Sequence, residues 1–247
     1  MTGCMRPAIY ENTDVLARQA AHRLTELSRE AISSSGRFTL VLSGGATPKK
    51  LYERLAEAEF CGKLDWDSIH IFWGDERCVP PDHPESNYGT AVRSLIDRVP
   101  LPPRNVHPIR GEMEPQQAAT AYEKELRTFF FPRYAEAPGV PGFDLVLLGM
   151  GEDGHTASLF PKSAALHEQK CWALAVERPG SWRVTLTPRV INAARDVLFL
   201  VAGSEKAGCL KEVLQGSYRP DELPAQAIRP APGRLRWMID AEAARLL

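Results

Sequence analysis

The sequence has no C-x-x-C pair, no long apolar run and no surplus of either charge, and each absence removes a class of protein. Its five cysteines, Cys4, Cys61, Cys78, Cys171 and Cys209, are scattered and odd in number, which fits neither a disulfide framework nor a structural zinc site. No apolar stretch approaches the roughly 20 residues needed to span a bilayer. The opening MTGCMRPAIYENTD lacks the apolar core of a secretion signal, so the expected compartment is a reducing cytoplasm with no membrane partner. With 30 Lys and Arg against 31 Asp and Glu, no global field draws the chain to nucleic acid or anionic lipid. Repeats and low-complexity segments are also missing, and the proline-rich stretches Val99 to Pro103, Ala137 to Pro141 and Ala227 to Gly233 are too short to be interdomain linkers. What remains is a 247-residue chain of ordinary globular composition, long enough to bury one large core. It is expected to form a single domain over residues 1–247.

The positive signal is a repeated grammar. Four short apolar runs each break into a glycine corner: FTLVLSGG, IHIFWGDER, DLVLLGMGEDGH and DVLFLVAGSEKA. Runs this short and continuous suit strands buried on both faces of a mainly parallel sheet with helical crossovers, an α/β architecture. Between Asn12 and Gly36, Leu16, Ala20, Leu24, Leu27 and Ala31 recur at helical spacing and mark an amphipathic helix. Thr47 reads as the N-cap of a second helix with Pro48 at its first position, and Glu114 to Phe130 reads as a third, with Pro132 just beyond.

Ligands of such sheets gather beyond the C-terminal ends of the strands, where the four corners lie. In the first, Ser43-Gly44-Gly45-Ala46-Thr47-Pro48, glycines let the backbone approach an anion just before a helix N-terminus. This suits a phosphate cradle and equally a plain tight turn, and it is not a Walker loop, since G-K-[ST] is missing. In the second, Asp75, Glu76 and Arg77 could pair locally, or Arg77 could offer its planar fork to phosphate or carboxylate oxygens. Beyond it Asn87 stands just before a helix and could simply cap it. The fourth sets Lys206 in the first turn of a helix, where a bound anion would offset the unfavourable dipole.

The third corner decides the chemistry. Gly149, Gly151 and Gly154 match G-x-G-x-x-G, and Glu177 in WALAVE lies about where a ribose-binding acid would. Against a dinucleotide, Glu152 and Asp153 would repel a pyrophosphate, and Pro161 cuts short the helix that should hold it. As a catalytic loop the segment fits better: His155 can titrate near neutral pH and Asp153 can orient it. No G-x-S-x-G elbow supports Ser158 as a nucleophile, Cys78 has no activating partner, and Cys78 with His83 lacks metal-ligand spacing. Water activated by His155 is the simpler chemistry.

Four ordered blocks, LSGGATPKKLYERL, IFWGDERCVPPDHPESNYGTA, DLVLLGMGEDGHTASLFP and RVTLTPRVINAARDVLFLVAG, resemble the 6-phosphogluconolactonase family over nearly the whole chain. The resemblance implies a Rossmann-like α/β fold similar to that of glucosamine-6-phosphate deaminase, and hydrolysis of a sugar-phosphate lactone without cofactor or metal. It makes His155 the general base and Asp153 its orienting partner. Ser43, Gly44, Gly45 and Thr47 would hold the phosphate with Arg77 and Lys206, while Asp75 and Asn87 shape the sugar pocket and Arg183 contacts substrate in no assigned role. A small-molecule lactone is the implied partner, and a monomer or weak homodimer the expected state. The deaminase is the alternative, but its catalytic loop resembles GHIAFNEP, with an acid that assists the histidine, and here Thr156-Ala157-Ser158-Leu159-Phe160-Pro161 carries none. A sugar-phosphate-sensing regulator would need a DNA-binding module, for which the residues before the first strand supply only one helix. Arg189 departs from the family pattern and puts local packing in doubt.

Overall fold

Each apolar run becomes a strand because it is buried on both faces, where only paired backbone is tolerated. A computed structural model describes residues 6–132 and 139–247; Ala137 and Pro138 of the expected Ala137 to Pro141 loop lie outside the described residues. The strands are β1 Ala8–Tyr10, β2 Phe38–Leu42, β3 Ile69–Trp73, β4 Asp75–Arg77, β5 Val106–His107, β6 Leu145–Leu148, β7 Ala173–Arg178, β8 Ser181–Leu186, β9 Asp196–Val201 and β10 Arg234–Asp240. The helices are α1 Thr13–Ser35, α2 Ala46–Leu55, α3 Ala58–Cys61, α4 Asn87–Ser94, α5 Pro115–Phe130, α6 Pro188–Ile191, α7 Ala207–Gln215 and α8 Ala241–Ala244.

Seven strands form one parallel sheet in the order β1-β10-β9-β6-β2-β3-β5. The four strands that end in glycine corners, β9, β6, β2 and β3, are therefore consecutive neighbours. Every residue of β2, β6 and β9 is buried, as their unalternating sequences require. At the opposite end of the strands a polar clamp sets the register of β2 beside β6: the Asp144 carboxylate accepts the Thr39 backbone N–H at 2.9 Å and its hydroxyl at 2.7 Å, and Arg195 lies 3.1 Å away.

A second, three-stranded antiparallel sheet in the order β4-β8-β7 was not expected from the sequence. In IHIFWGDER the apolar run is strand β3 as expected, but beyond Gly74 the corner continues as a second strand, β4. The Gly74 N–H donates to the Leu42 carbonyl of β2 at 2.9 Å, while its own carbonyl accepts the Leu186 N–H of β8 at 2.8 Å. One residue thus passes the chain from the parallel sheet to the antiparallel one. The WALAVE run forms β7 there, not a further parallel strand.

Helix α1 carries the expected stripe of Leu16, Ala20, Leu24, Leu27 and Ala31, all buried. The Asn12 side chain caps its start, and Gly36, at φ 75°, ends it in the left-handed region. Glu114 caps α5 by accepting the Gln117 N–H. Thr47, however, is not a cap: α2 already begins at Ala46, behind Gly45 at φ 107°, with no side-chain cap. The backbone turn that glycine permits starts the helix two residues early.

Two tyrosines finish the strand ends that face this side of the sheet. The Tyr52 hydroxyl of α2 accepts the Ser43 N–H at 2.9 Å and donates to the Ser43 carbonyl at 2.6 Å. Tyr122 of α5 does the same to Trp73, at 3.0 and 2.8 Å. Burial pushes both phenols well above their ordinary range, so each stays protonated and able to donate. Cys61, Cys78, Cys171 and Cys209 are free thiols. Among the described residues no helix is long and apolar enough to cross a membrane.

Candidate active site

Because β9, β6, β2 and β3 are adjacent and parallel, their four C-terminal corners meet at one edge of the sheet around a cavity of about 350 Å3. Ser43, Gly44, Gly45, Thr47, Asp75, Arg77, Asn87, His155, Arg183 and Lys206 all line it. Asp153 stands behind His155.

The β2 corner presents an open helix N-terminus. With Gly45 making no side-chain cap, the first backbone N–H groups of α2 remain free for an anion. Gly44 is required by proximity, since a Cβ there would lie 2.0 Å from Asn87 Oδ1.

On β4 the side chains alternate. Asp75 is buried and accepts the Ser158 hydroxyl at 2.6 Å and Asn87 Nδ2 at 3.3 Å. Arg77 also points to the cavity side, with Nη1 donating to the Glu85 carbonyl. Glu76, between them, accepts the backbone N–H groups of Arg77, Asn87 and Tyr88 and the Ser86 hydroxyl. Local ion pairing among the three charges, one of the expected readings, therefore does not occur. Nor does Asn87 cap α4: that is Ser86, which accepts the Gly89 N–H, leaving the Asn87 side chain free for Asp75.

Arg183 enters from β8, where it is the register partner of Arg77. Both guanidinium groups keep a buried Nε without a hydrogen-bond partner. Burial, then the charge of Arg77, holds the Arg183 pKa below its ordinary value. Two adjacent cations of this kind favour an anion between them, because it would relieve both the desolvation and the repulsion.

The β6 corner folds on itself. Gly151 N–H donates to the His155 carbonyl at 2.8 Å, Gly154 N–H to the Gly151 carbonyl at 3.1 Å, and the Thr156 hydroxyl to the Gly149 carbonyl at 2.8 Å. Two of its three glycine N–H groups are thus spent internally, no helix follows directly, and Glu177 lies on β7 of the other sheet. The dinucleotide reading fails on all three counts.

His155 Nδ1 lies 2.5 Å from Asp153 Oδ1, which also accepts the His155 backbone N–H at 3.1 Å. Partial burial opposes ionisation of Asp153, but the His155 backbone and ring hydrogen bonds together with the imidazole charge outweigh it and hold the carboxyl below its ordinary range. An ionised carboxylate only accepts, so Nδ1 carries the proton and Nε2 keeps its lone pair for a base's work. The loop leaves no slack: a Cβ on Gly151 would lie 2.1 Å from His155 Nδ1 and 2.7 Å from Asp153 Oδ1. Gly151→Ala should push the pair apart and lower turnover at least tenfold with little change in thermal midpoint; unchanged turnover would refute the contact.

At the β9 corner Lys206 ends a short 3-10 turn and is the N-cap residue of α7, not a member of its first turn. Its side chain is mostly buried and its ammonium lies 3.8 Å from Glu152.

Several contributors were not legible beforehand. Thr156 and Glu205 also line the cavity. Ser158, weighed as a nucleophile, is completely buried and spends its hydroxyl on Asp75, a partner 83 residues away that no local pattern reveals. Burial and the Glu76 charge push the Cys78 thiol up to about 11, which leaves no thiolate at neutral pH. Arg189 disturbs no packing: its guanidinium donates to the Gln169 and Lys170 carbonyls.

Residues 11–237 match the family described as glucosamine-6-phosphate isomerases/6-phosphogluconolactonase. The chain is 43% identical to the 6-phosphogluconolactonase of Synechocystis sp. over 233 residues, 94% of each chain. Its fold superposes on the 6-phosphogluconolactonase from Trypanosoma cruzi with a TM-score of 0.85 at 29% identity, covering 100% of this chain and 98% of that one. A monomeric glucosamine-6-phosphate deaminase superposes with a TM-score of 0.81 at 19% identity, covering 98% and 100%, a likeness of fold alone.

Proposed function

The chain belongs to the glucosamine-6-phosphate isomerase/6-phosphogluconolactonase family, and we propose that this member hydrolyses 6-phospho-D-glucono-1,5-lactone to 6-phospho-D-gluconate, a step of the oxidative pentose phosphate pathway. The observation that carries this reading is the oriented His155–Asp153 pair facing a cavity lined by Arg77, Arg183 and Lys206. It combines one base with a cationic seat for a phosphate.

In this reading the phosphate rests on the α2 N-terminus and the Ser43 to Thr47 backbone, with Lys206, Arg77 and Arg183 as its charged partners. Binding energy from that remote group holds the lactone carbonyl against His155. His155 Nε2 removes a proton from water as the water oxygen bonds to the carbonyl carbon, and the carbonyl electron pair moves onto its oxygen. When the tetrahedral intermediate collapses, the bond to the ring oxygen breaks and the imidazolium returns its proton to that oxygen. The acid product then ionises. Asp153 keeps the imidazole in the tautomer that can act first as base and then as acid, and Asp75 with Asn87 bounds the sugar.

Isomerisation with loss of ammonia is disfavoured by one side chain. The acid of a GHIAFNEP loop stands five residues after its histidine, and five after His155 stands Phe160, whose ring centroid is 4.7 Å from the imidazole. An apolar ring relays no proton, and lactone opening needs only the one base. Purified protein assayed on the lactone, against a blank for spontaneous hydrolysis, should release acid far above the blank and liberate no ammonia from glucosamine 6-phosphate. Ammonia release with no lactonase activity would overturn the assignment.

A further inference from the structure

Glu76 is a carboxylate 1% exposed, set between two residues that line the cavity. A buried charge survives only where hydrogen bonds replace its water, and four donors converge on this one. Oε1 accepts the N–H groups of Arg77 at 2.7 Å and Asn87 at 2.8 Å; Oε2 accepts the Tyr88 N–H at 2.7 Å and the Ser86 hydroxyl at 3.1 Å. Three of these donors begin α4 or precede it by one residue. With Ser86 taking the Gly89 N–H, the first three backbone donors of α4 are all satisfied from within the chain. Helix α2, across the cavity, keeps its N-terminus open.

The consequence is a fixed spacing between β4 and α4. Asn87 is held by its backbone on Glu76 and by Nδ2 on the Asp75 carbonyl at 2.9 Å and carboxylate at 3.3 Å. Its Oδ1 is thereby turned to Gly44 at the phosphate corner. Arg77 is held by its backbone on Glu76 and by Nη1 on the Glu85 carbonyl.

We propose that Glu76 is a positioning residue for the lactonase reaction, an internal cap on α4 that sets Asn87 and Arg77 at the distance from the phosphate corner that substrate binding requires. The inference rests on the function proposed above. Glu76→Gln preserves size but turns one oxygen into an amide donor facing two donors, so one pair of contacts must open. Measured on the lactone well below the melting temperature, KM should rise about tenfold while kcat stays within about threefold. In the double variant with Asn87→Ala, Glu76→Gln should raise KM by less than it does in the wild-type background, because one of the side chains that Glu76 sets in place is already gone. A role in stability alone predicts a lowered melting temperature with wild-type KM in the folded enzyme, and that result, or additive effects in the double variant, would overturn the proposal. Should Glu76→Gln fail to fold, Glu76→Asp, which keeps the charge but falls short of α4, should raise KM in the same way, and an unchanged KM in it would be equally fatal. Wild-type enzyme that fails to open the lactone would instead count against the lactonase reading.

Discussion

His155→Ala should lower kcat for lactone hydrolysis by about 100- to 10,000-fold, the range that a positioned general base supplies, while substrate binding changes little. The reason is geometric. His155 is the imidazole on the cavity wall, and its Nδ1 is occupied by Asp153, so in the proposed mechanism deprotonation of water falls to Nε2. The proposed phosphate seat lies at the ends of other strands and should survive the change. Asp153→Asn should cost less than removing the ring but more than a surface change: an amide can donate to Nδ1 and so stabilise the wrong tautomer. The measurement must subtract spontaneous hydrolysis, which sets the floor. Turnover of His155→Ala at the wild-type rate above that floor would remove His155 from the mechanism.

The second large effect concerns recognition. Lys206→Ala and Arg77→Ala should each reduce kcat/KM for the phosphorylated lactone roughly ten- to hundred-fold, since a hydrogen bond to a charged group contributes about 1.5–3 kcal/mol. For an unphosphorylated lactone neither should change kcat/KM by more than about twofold. Lys206 lies 3.8 Å from Glu152, so the truncated variant also leaves that carboxylate without its neutralising charge, which deepens the loss. The deficit should shrink as salt is raised, because the wild-type advantage is screened. Equal losses on both substrates would mean that these cations serve the fold or the lactone ring instead of the phosphate.

How much of this was readable in the chain depends on the range of the interaction concerned. Helix α1 was legible from end to end because its apolar stripe, its Asn12 cap and its Gly36 stop are all local signals. The start of α2 was misread by one choice, Thr47 over Gly45, since hydroxyl caps are the commoner device and the φ of 107° at Gly45 is visible only in the backbone. Asp75-Glu76-Arg77 read as three neighbouring charges able to neutralise one another. On a strand successive side chains point to opposite faces, so the unsuspected strand β4 turned Glu76 away from the other two, while Asp75 and Arg77, on one face, are spent on Ser158, Asn87 and the Glu85 carbonyl.

The sequence by itself determined which segments become buried strands, where glycines break them, and that a histidine, a carboxylate and two cations sit at those breaks. Burial, backbone freedom and residue chemistry are properties a segment carries with it. Only the tertiary structure decided that β9, β6, β2 and β3 lie side by side, so that four separate corners become one cavity. It alone brought Arg183 opposite Arg77 across an antiparallel pair and set Ser158 beneath Asp75. Those contacts join residues far apart in the chain, and strand order, which creates them, follows from how whole faces pack together and leaves no mark in any single stretch.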